Sequence, residues 1–137
     1  MKRADEQWLS NAERSAVGSL PDVRIFRNNV GTLLDSRGIP VSFGLAPGSA
    51  DAIGIVGPYG RFLSVEFKRP GYVPPSPRKL LEALKHPAKC KCEPCHYNAQ
   101  LRWQDMVRAF GGVAGIVDAE GGALALVEEA RQPVTPR

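Results

Sequence analysis

The sequence predicts an α/β fold, a mixed sheet with flanking helices, in the rough order helix, strand, strand, strand, helix, strand. Three observations predict it. Residues 51–68 carry two apolar runs around a Gly57-Pro58-Tyr59-Gly60 turn, the pattern of an antiparallel hairpin. Residues 5–17 lack Gly and Pro and place Trp8, Leu9, Ala12 and Ala16 at helical spacing. A second helical pattern over 97–110 leads into the apolar run Val113-Ala114-Gly115-Ile116-Val117, which reads as a buried strand.

Taken in order, the first helix should end at Gly18, and Pro21 and Asp22 mark a turn. Val23-Arg24-Ile25-Phe26-Arg27 alternates like a strand, and Asn28-Asn29-Val30-Gly31 closes it. A polar, Gly-containing loop should follow, then a short strand at Val41-Ser42-Phe43. Pro47-Gly48-Ser49 is a loop that delivers Asp51 to the hairpin. Residues 69–96 differ in character: Pro70, Pro74, Pro75, Pro77, Pro87 and Pro94 interrupt them, so they read as an insertion or arm with one short helix at 78–85. The helix over 97–110 has Leu101, Met106, Val107 and Phe110 as apolar positions and is capped by Gly111-Gly112. Residues 122–130 form a last short helix, and 132–137, with two prolines, are expected to be a flexible tail. The 137 residues therefore make one domain, over 1–131, with its insertion at about 69–96. Trp103 and Phe110 are expected in the core rather than as platforms for stacked bases.

Composition narrows the class. Hydrophobic residues at 43% and charged residues at 23% describe an ordinary globular chain rather than a disordered one. Lys and Arg outnumber Asp and Glu by 18 to 14, a mild excess that suits a polyanionic partner. The first residues run into no apolar stretch of signal-peptide kind, and no run approaches membrane-spanning length, so the expected compartment is the cytoplasm with no membrane partner. Three cysteines, an odd number, all between 90 and 95, argue against a disulfide framework.

The hairpin carries the chemistry. Pairing its strands brings Asp51 near Glu66, and Lys68, two residues on, shares the side of Glu66. Two carboxylates with the adjacent carbonyl of Phe67 offer hard oxygen ligands for Mg²⁺ or Mn²⁺. Lys68 could then hold or polarise a water and stabilise negative charge developing on phosphorus. A plain salt bridge between Glu66 and Lys68 on a solvated strand face is the competing reading. What favours the site is context: Asp51 follows a Gly-Ser loop, and Glu66 ends an otherwise apolar strand.

In this arrangement the chain resembles the PD-(D/E)xK nucleases, and within them the virus-type replication-repair nuclease (VRR-NUC) domain. The likeness rests on Arg27-Asn28-Asn29-Val30-Gly31, on Gly48-Ser49-Ala50-Asp51-Ala52-Ile53-Gly54, on Gly60-Arg61-Phe62-Leu63-Ser64-Val65-Glu66-Phe67-Lys68, and on Gln100 followed by the helix to Gly111-Gly112. It implies a restriction-endonuclease-like core (αβββαβ) and metal-dependent hydrolysis of DNA phosphodiester bonds, structure-specific, in replication and repair or phage DNA processing. It also implies catalytic roles for Asp51, Glu66, Lys68 and Gln100, with Gln104 as the alternative to Gln100. An acidic residue on the first helix should join the metal; Glu6 matches best, with Glu13 and Asp5 as rivals. Arg27, Arg69 and Lys79 would contact DNA, and because stand-alone domains of the family are often dimeric, a homodimer is a further expectation.

The chain departs from the family in the thirty or so residues between Lys68 and Gln100, where a short loop is usual. The insertion holds Lys89-Cys90-Lys91-Cys92-Glu93-Pro94-Cys95-His96, so Cys90, Cys92, Cys95 and His96 could bind a structural Zn²⁺, with His86 able to replace His96 as the fourth ligand. Free thiols are the competing reading. The arm's basic residues, including Arg78, Lys85, Lys89 and Lys91, could track a DNA backbone. A non-catalytic, zinc-stapled DNA-binding module on the same fold would show that binding without cleavage.

Overall fold

A computed structural model of the chain describes residues 2–135. It contains α1 (Lys2–Gly18), β1 (Val23–Arg27), β2 (Gly31–Leu34), β3 (Pro40–Phe43), β4 (Ala52–Val56), β5 (Arg61–Phe67), α2 (Pro77–Ala83), α3 (Glu93–Ala109), β6 (Val113–Val117) and α4 (Gly122–Ala130). The main sheet has four strands in the order β1-β4-β5-β6. β1 and β5 flank β4 antiparallel, and β6 joins β5 parallel after the α3 crossover, so the sheet is mixed as the sequence predicts. Among the described residues no helix is long and apolar enough to cross a membrane.

β5 decides how the layers assemble. Leu63, Val65 and Phe67 point to one face and join Leu9 and Val17 of α1 and Ala123 and Val127 of α4 in a single core. Each fully buried side chain of this size contributes roughly 1.5–3 kcal/mol. Ser64 and Glu66 point to the other face, which α3 covers: Trp103 Nε1 donates to Ser64 Oγ at 2.9 Å and Gln100 Nε2 to Glu66 Oε1 at 2.8 Å. From Leu63 to Phe67 β5 is thus buried on both faces, and Glu66 is left only slightly exposed.

Several expectations need correction. The loop foreseen after residue 30 contains β2, which pairs with β3 as a separate two-stranded hairpin whose residues are largely exposed. Alternation cannot announce a strand that has no buried face. In α1 the inward stripe is Leu9, Glu13 and Val17 at fourfold spacing, while Trp8 is 58% exposed. Glu13 is buried because its Oε1 accepts from Ala123 N at 3.1 Å, satisfying a free amide at the start of α4, whose N-cap Gly121 has no side chain to do so. That contact takes Glu13 out of the contest for the metal site. In α3 the buried residues are Gln100, Gln104 and Val107; Phe110, expected in the core, is 85% exposed. At the C-terminal end Arg61 donates to the carbonyls of Gly111, Glu129 and Gln132, tying Gln132 to the body; of the tail foreseen over 132–137, residues 136 and 137 lie outside the described residues.

Candidate active site

The site forms where β4 begins and β5 ends. The register pairs Ala52 with Val65, which sets Asp51 opposite Glu66. Asp51 Oδ2 accepts from Phe67 N at 2.8 Å, fixing the carboxylate against the last residue of β5. The loop before Asp51 is held by Asn28, the residue that follows β1. Its Nδ2 donates to Ser49 Oγ and Ala50 O, both at 2.8 Å, its Oδ1 accepts from Leu45 N, and its backbone N donates to Asp51 O. An asparagine just past a strand can satisfy a facing loop's backbone in this way, and that capacity was the available signal.

The same loop rests on α3. Gly48 has φ +84°, and a Cβ there would lie 2.7 Å from both the carbonyl carbon and the Cβ of Ala99. Strain and collision coincide at this position. Gly48→Ala is expected to destabilise the fold by about 1–3 kcal/mol, read as a lower urea midpoint. An unchanged midpoint would show that loop and helix are not packed as described.

Lys68 Nζ lies 3.7 Å from Glu66 Oε1, with both side chains mostly buried. Burial pushes the Glu66 carboxyl up to about 8, with the charge of Asp51 and a hydrogen bond to Asp51 adding to the rise; Lys68 opposes without cancelling it. Glu6 enters from α1, raised first by burial and then by Asp51, while Lys68 and Arg69 pull it down. Asp5, its rival, is exposed. Arg27, Glu6, Asp51 and Phe67 line one cleft of about 290 Å³. Asp51 also lines a larger cavity of about 900 Å³, together with Glu66, Gln100, Lys89, Lys91 and Arg102. Arg69 sits over the ring of Tyr72, 5.3 Å from its centroid, as does Lys68 at 5.1 Å. Lys79 is exposed on α2 and lines neither cavity.

Burial first, and then the charge of Asp51, raise the proton affinity of both Glu6 and Glu66, so the three carboxylates lie near enough to feel one another. Gln100 spends its amide nitrogen on Glu66 Oε1 at 2.8 Å and His96 Nε2 at 3.0 Å, so its buried Oε1 has no partner among the described residues. Gln104, the alternative, accepts from Arg108 and lines neither cavity.

A second cluster lies across the larger cavity, and it corrects the fourth ligand. The groups that converge are His86, Cys90, Cys92 and Cys95, whose ligand atoms all lie within 4.8 Å of one another; they could hold a metal ion such as zinc. His96 is not among them. α3 starts at Glu93 rather than near 97, with Cys92 as N-cap and Pro94 in the first turn, where a proline fits. Successive helical residues point about 100° apart, so a turn that aims Cys95 at His86 aims His96 at Gln100. Burial and the nearby Lys68 lower the proton affinity of His96, which favours its neutral form.

Neither known family models nor curated proteins match this chain.

Proposed function

We propose that the protein is a metal-dependent deoxyribonuclease built on a restriction-endonuclease-like core. The observation that carries the reading is the pairing of Asp51 with the end of β5 and of Lys68 with Glu66, beside a cavity that Asp51 and Glu66 line together with Lys89, Lys91 and Arg102. Glu6, Asp51, Glu66 and the carbonyl of Phe67 would hold Mg²⁺ or Mn²⁺. Bound there, the ion supplies Lewis acidity toward a phosphate oxygen and makes a coordinated water more acidic.

The chain's own groups do the rest. Gln100 fixes the rotamer of Glu66 through its 2.8 Å hydrogen bond. The Lys68 ammonium, held by Glu66 and the Tyr72 ring, can donate to the attacking water or to the phosphoryl oxygens as charge grows on them. Arg27, which lines one cleft, and Lys89, Lys91 and Arg102, which line the other, would meet neighbouring phosphates. Such contacts carry affinity without sequence information, so binding should weaken steeply with salt.

The test incubates the purified protein with flap, branched and linear duplex DNA, in Mg²⁺ or Mn²⁺ and in chelator, beside Lys68→Ala. Metal-dependent cleavage absent from the variant is expected, and the substrate cut fastest reveals the preferred structure. Binding to DNA with no cleavage of any substrate would instead favour the non-catalytic module.

A further inference from the structure

We propose that His86, Cys90, Cys92 and Cys95 bind one Zn²⁺ ion, and that this ion clamps the basic arm and the first turn of α3 against the carboxylate centre. The ion-binding half stands by itself; the catalytic half rests on the nuclease reading above.

The geometry around His86 carries the first half. Its Nδ1 lies 3.5 Å from Cys90 Sγ, 3.4 Å from Cys92 Sγ and 3.3 Å from Cys95 Sγ. An imidazole nitrogen has one lone pair or one hydrogen, so hydrogen bonding satisfies only one of these three approaches. A tetrahedral ion satisfies all three. With Zn–S near about 2.3 Å and Zn–N near about 2.0–2.1 Å, tetrahedral angles separate sulfur from nitrogen by about 3.6 Å. The three distances sit close to that value, and three thiolates with one neutral imidazole make a closed structural site.

The position of the four ligands carries the second half. His86 follows α2, Cys90 lies in the connecting loop, Cys92 caps α3 and Cys95 occupies its first turn. Closing them on one ion joins two helices across a segment that contributes nothing to the main core. Lys89 and Lys91 lie between or beside the ligands and face the cavity that Asp51 and Glu66 also line. His96 follows Cys95 and accepts from Gln100, which donates to Glu66. The clamp therefore sets both the basic wall of the cleft and the hydrogen-bonded chain behind Glu66. His96 acts here as a positioning residue, through Gln100.

The test measures zinc per chain in full-length protein from zinc-supplemented culture, by elemental analysis, for the wild type, Cys92→Ser, His86→Ala and His96→Ala. About one zinc is expected in the wild type and in His96→Ala, and a loss in the other two. Chelation of the wild type should speed tryptic cleavage at Lys85, Lys89 and Lys91 by at least about tenfold without unfolding the sheet, a readout that holds even where the cysteine variant fails to fold. In the cleavage assay His96→Ala should lower kcat with KM nearly unchanged, whereas zinc-depleted protein should also bind DNA more weakly. A zinc-free wild type, a disulfide among the cysteines, or a His96→Ala that loses zinc while His86→Ala keeps it would overturn the site. Full zinc content with tryptic cleavage unaltered by chelation would overturn the clamp. Full zinc content with no cleavage of any DNA would sink the nuclease reading and leave the zinc site standing.

Discussion

Asp51→Asn is expected to reduce metal-dependent DNA cleavage by about 10²–10³-fold or more while making the metal-free protein more stable at alkaline pH. The substitution is nearly isosteric. Asparagine keeps an oxygen to accept from Phe67 N, the 2.8 Å contact that anchors Asp51 to the end of β5, so the loop should stay in place. What disappears is a negative charge that any divalent cation at this point needs. The stability gain has the same origin. Asp51 is among the causes that push up the Glu66 carboxyl, so at pH 8 and above two carboxylates repel each other in a buried site. Removing one charge should recover about 1 kcal/mol there and little at pH 6, where Glu66 holds its proton. Cleavage rates with thermal melts at both pH values check this. Cleavage within tenfold of wild type would end the metal-ligand role of Asp51, and a lower alkaline melting point would contradict the repulsion.

The second large effect is proton linkage at Glu66. Its carboxyl is raised from 4.5 to about 8, so the folded chain holds that proton more tightly than the unfolded one. A raised value contributes stability that is full below pH 4.5 and is lost as pH climbs to about 8. Across that window the metal-free protein should lose several kcal/mol, at about 1.4 kcal/mol per unit. Glu6 is shifted in the same direction. His96 runs the opposite way, since burial favours its neutral form and stability falls as pH drops below 6.5. Asp22, lowered by Arg131, and Asp35, lowered by the amides of Ile39 and Arg37, lose their contributions only below 3.8. The difference between wild type and Glu66→Gln therefore isolates Glu66. At the proposed metal site Mg²⁺ would compete with the proton, so its stabilising effect should be small at pH 5 and grow towards pH 8. Melting temperatures against pH, in chelator and in Mg²⁺, measure both. Parallel curves for wild type and Glu66→Gln would remove the linkage, and a metal shift independent of pH would remove Glu66 from the ligand set.

Much of the arrangement around Asp51 was readable along the chain because it is local. Period-two alternation and the Gly57-Pro58-Tyr59-Gly60 turn define the β4–β5 hairpin, and Glu66 and Lys68 two apart must share a side. The buried face of α1 was misread because its stripe includes Glu13, a charged residue that hydropathy assigns to solvent. The same holds for α3, where Gln100 and Gln104 face inward and Phe110 does not.

By itself the sequence determined the order of the principal elements and placed Asp51, Glu66 and Lys68 together, since turn chemistry and strand periodicity act between near neighbours. Only the tertiary structure decided that Glu13 caps α4, that Asn28 pins the Asp51 loop, that α3 begins early enough to turn His96 toward Gln100, and that His86 completes the cysteine cluster. Each of these depends on a partner distant along the chain or on the rotation of a helix about its axis. Residue spacing alone specifies neither.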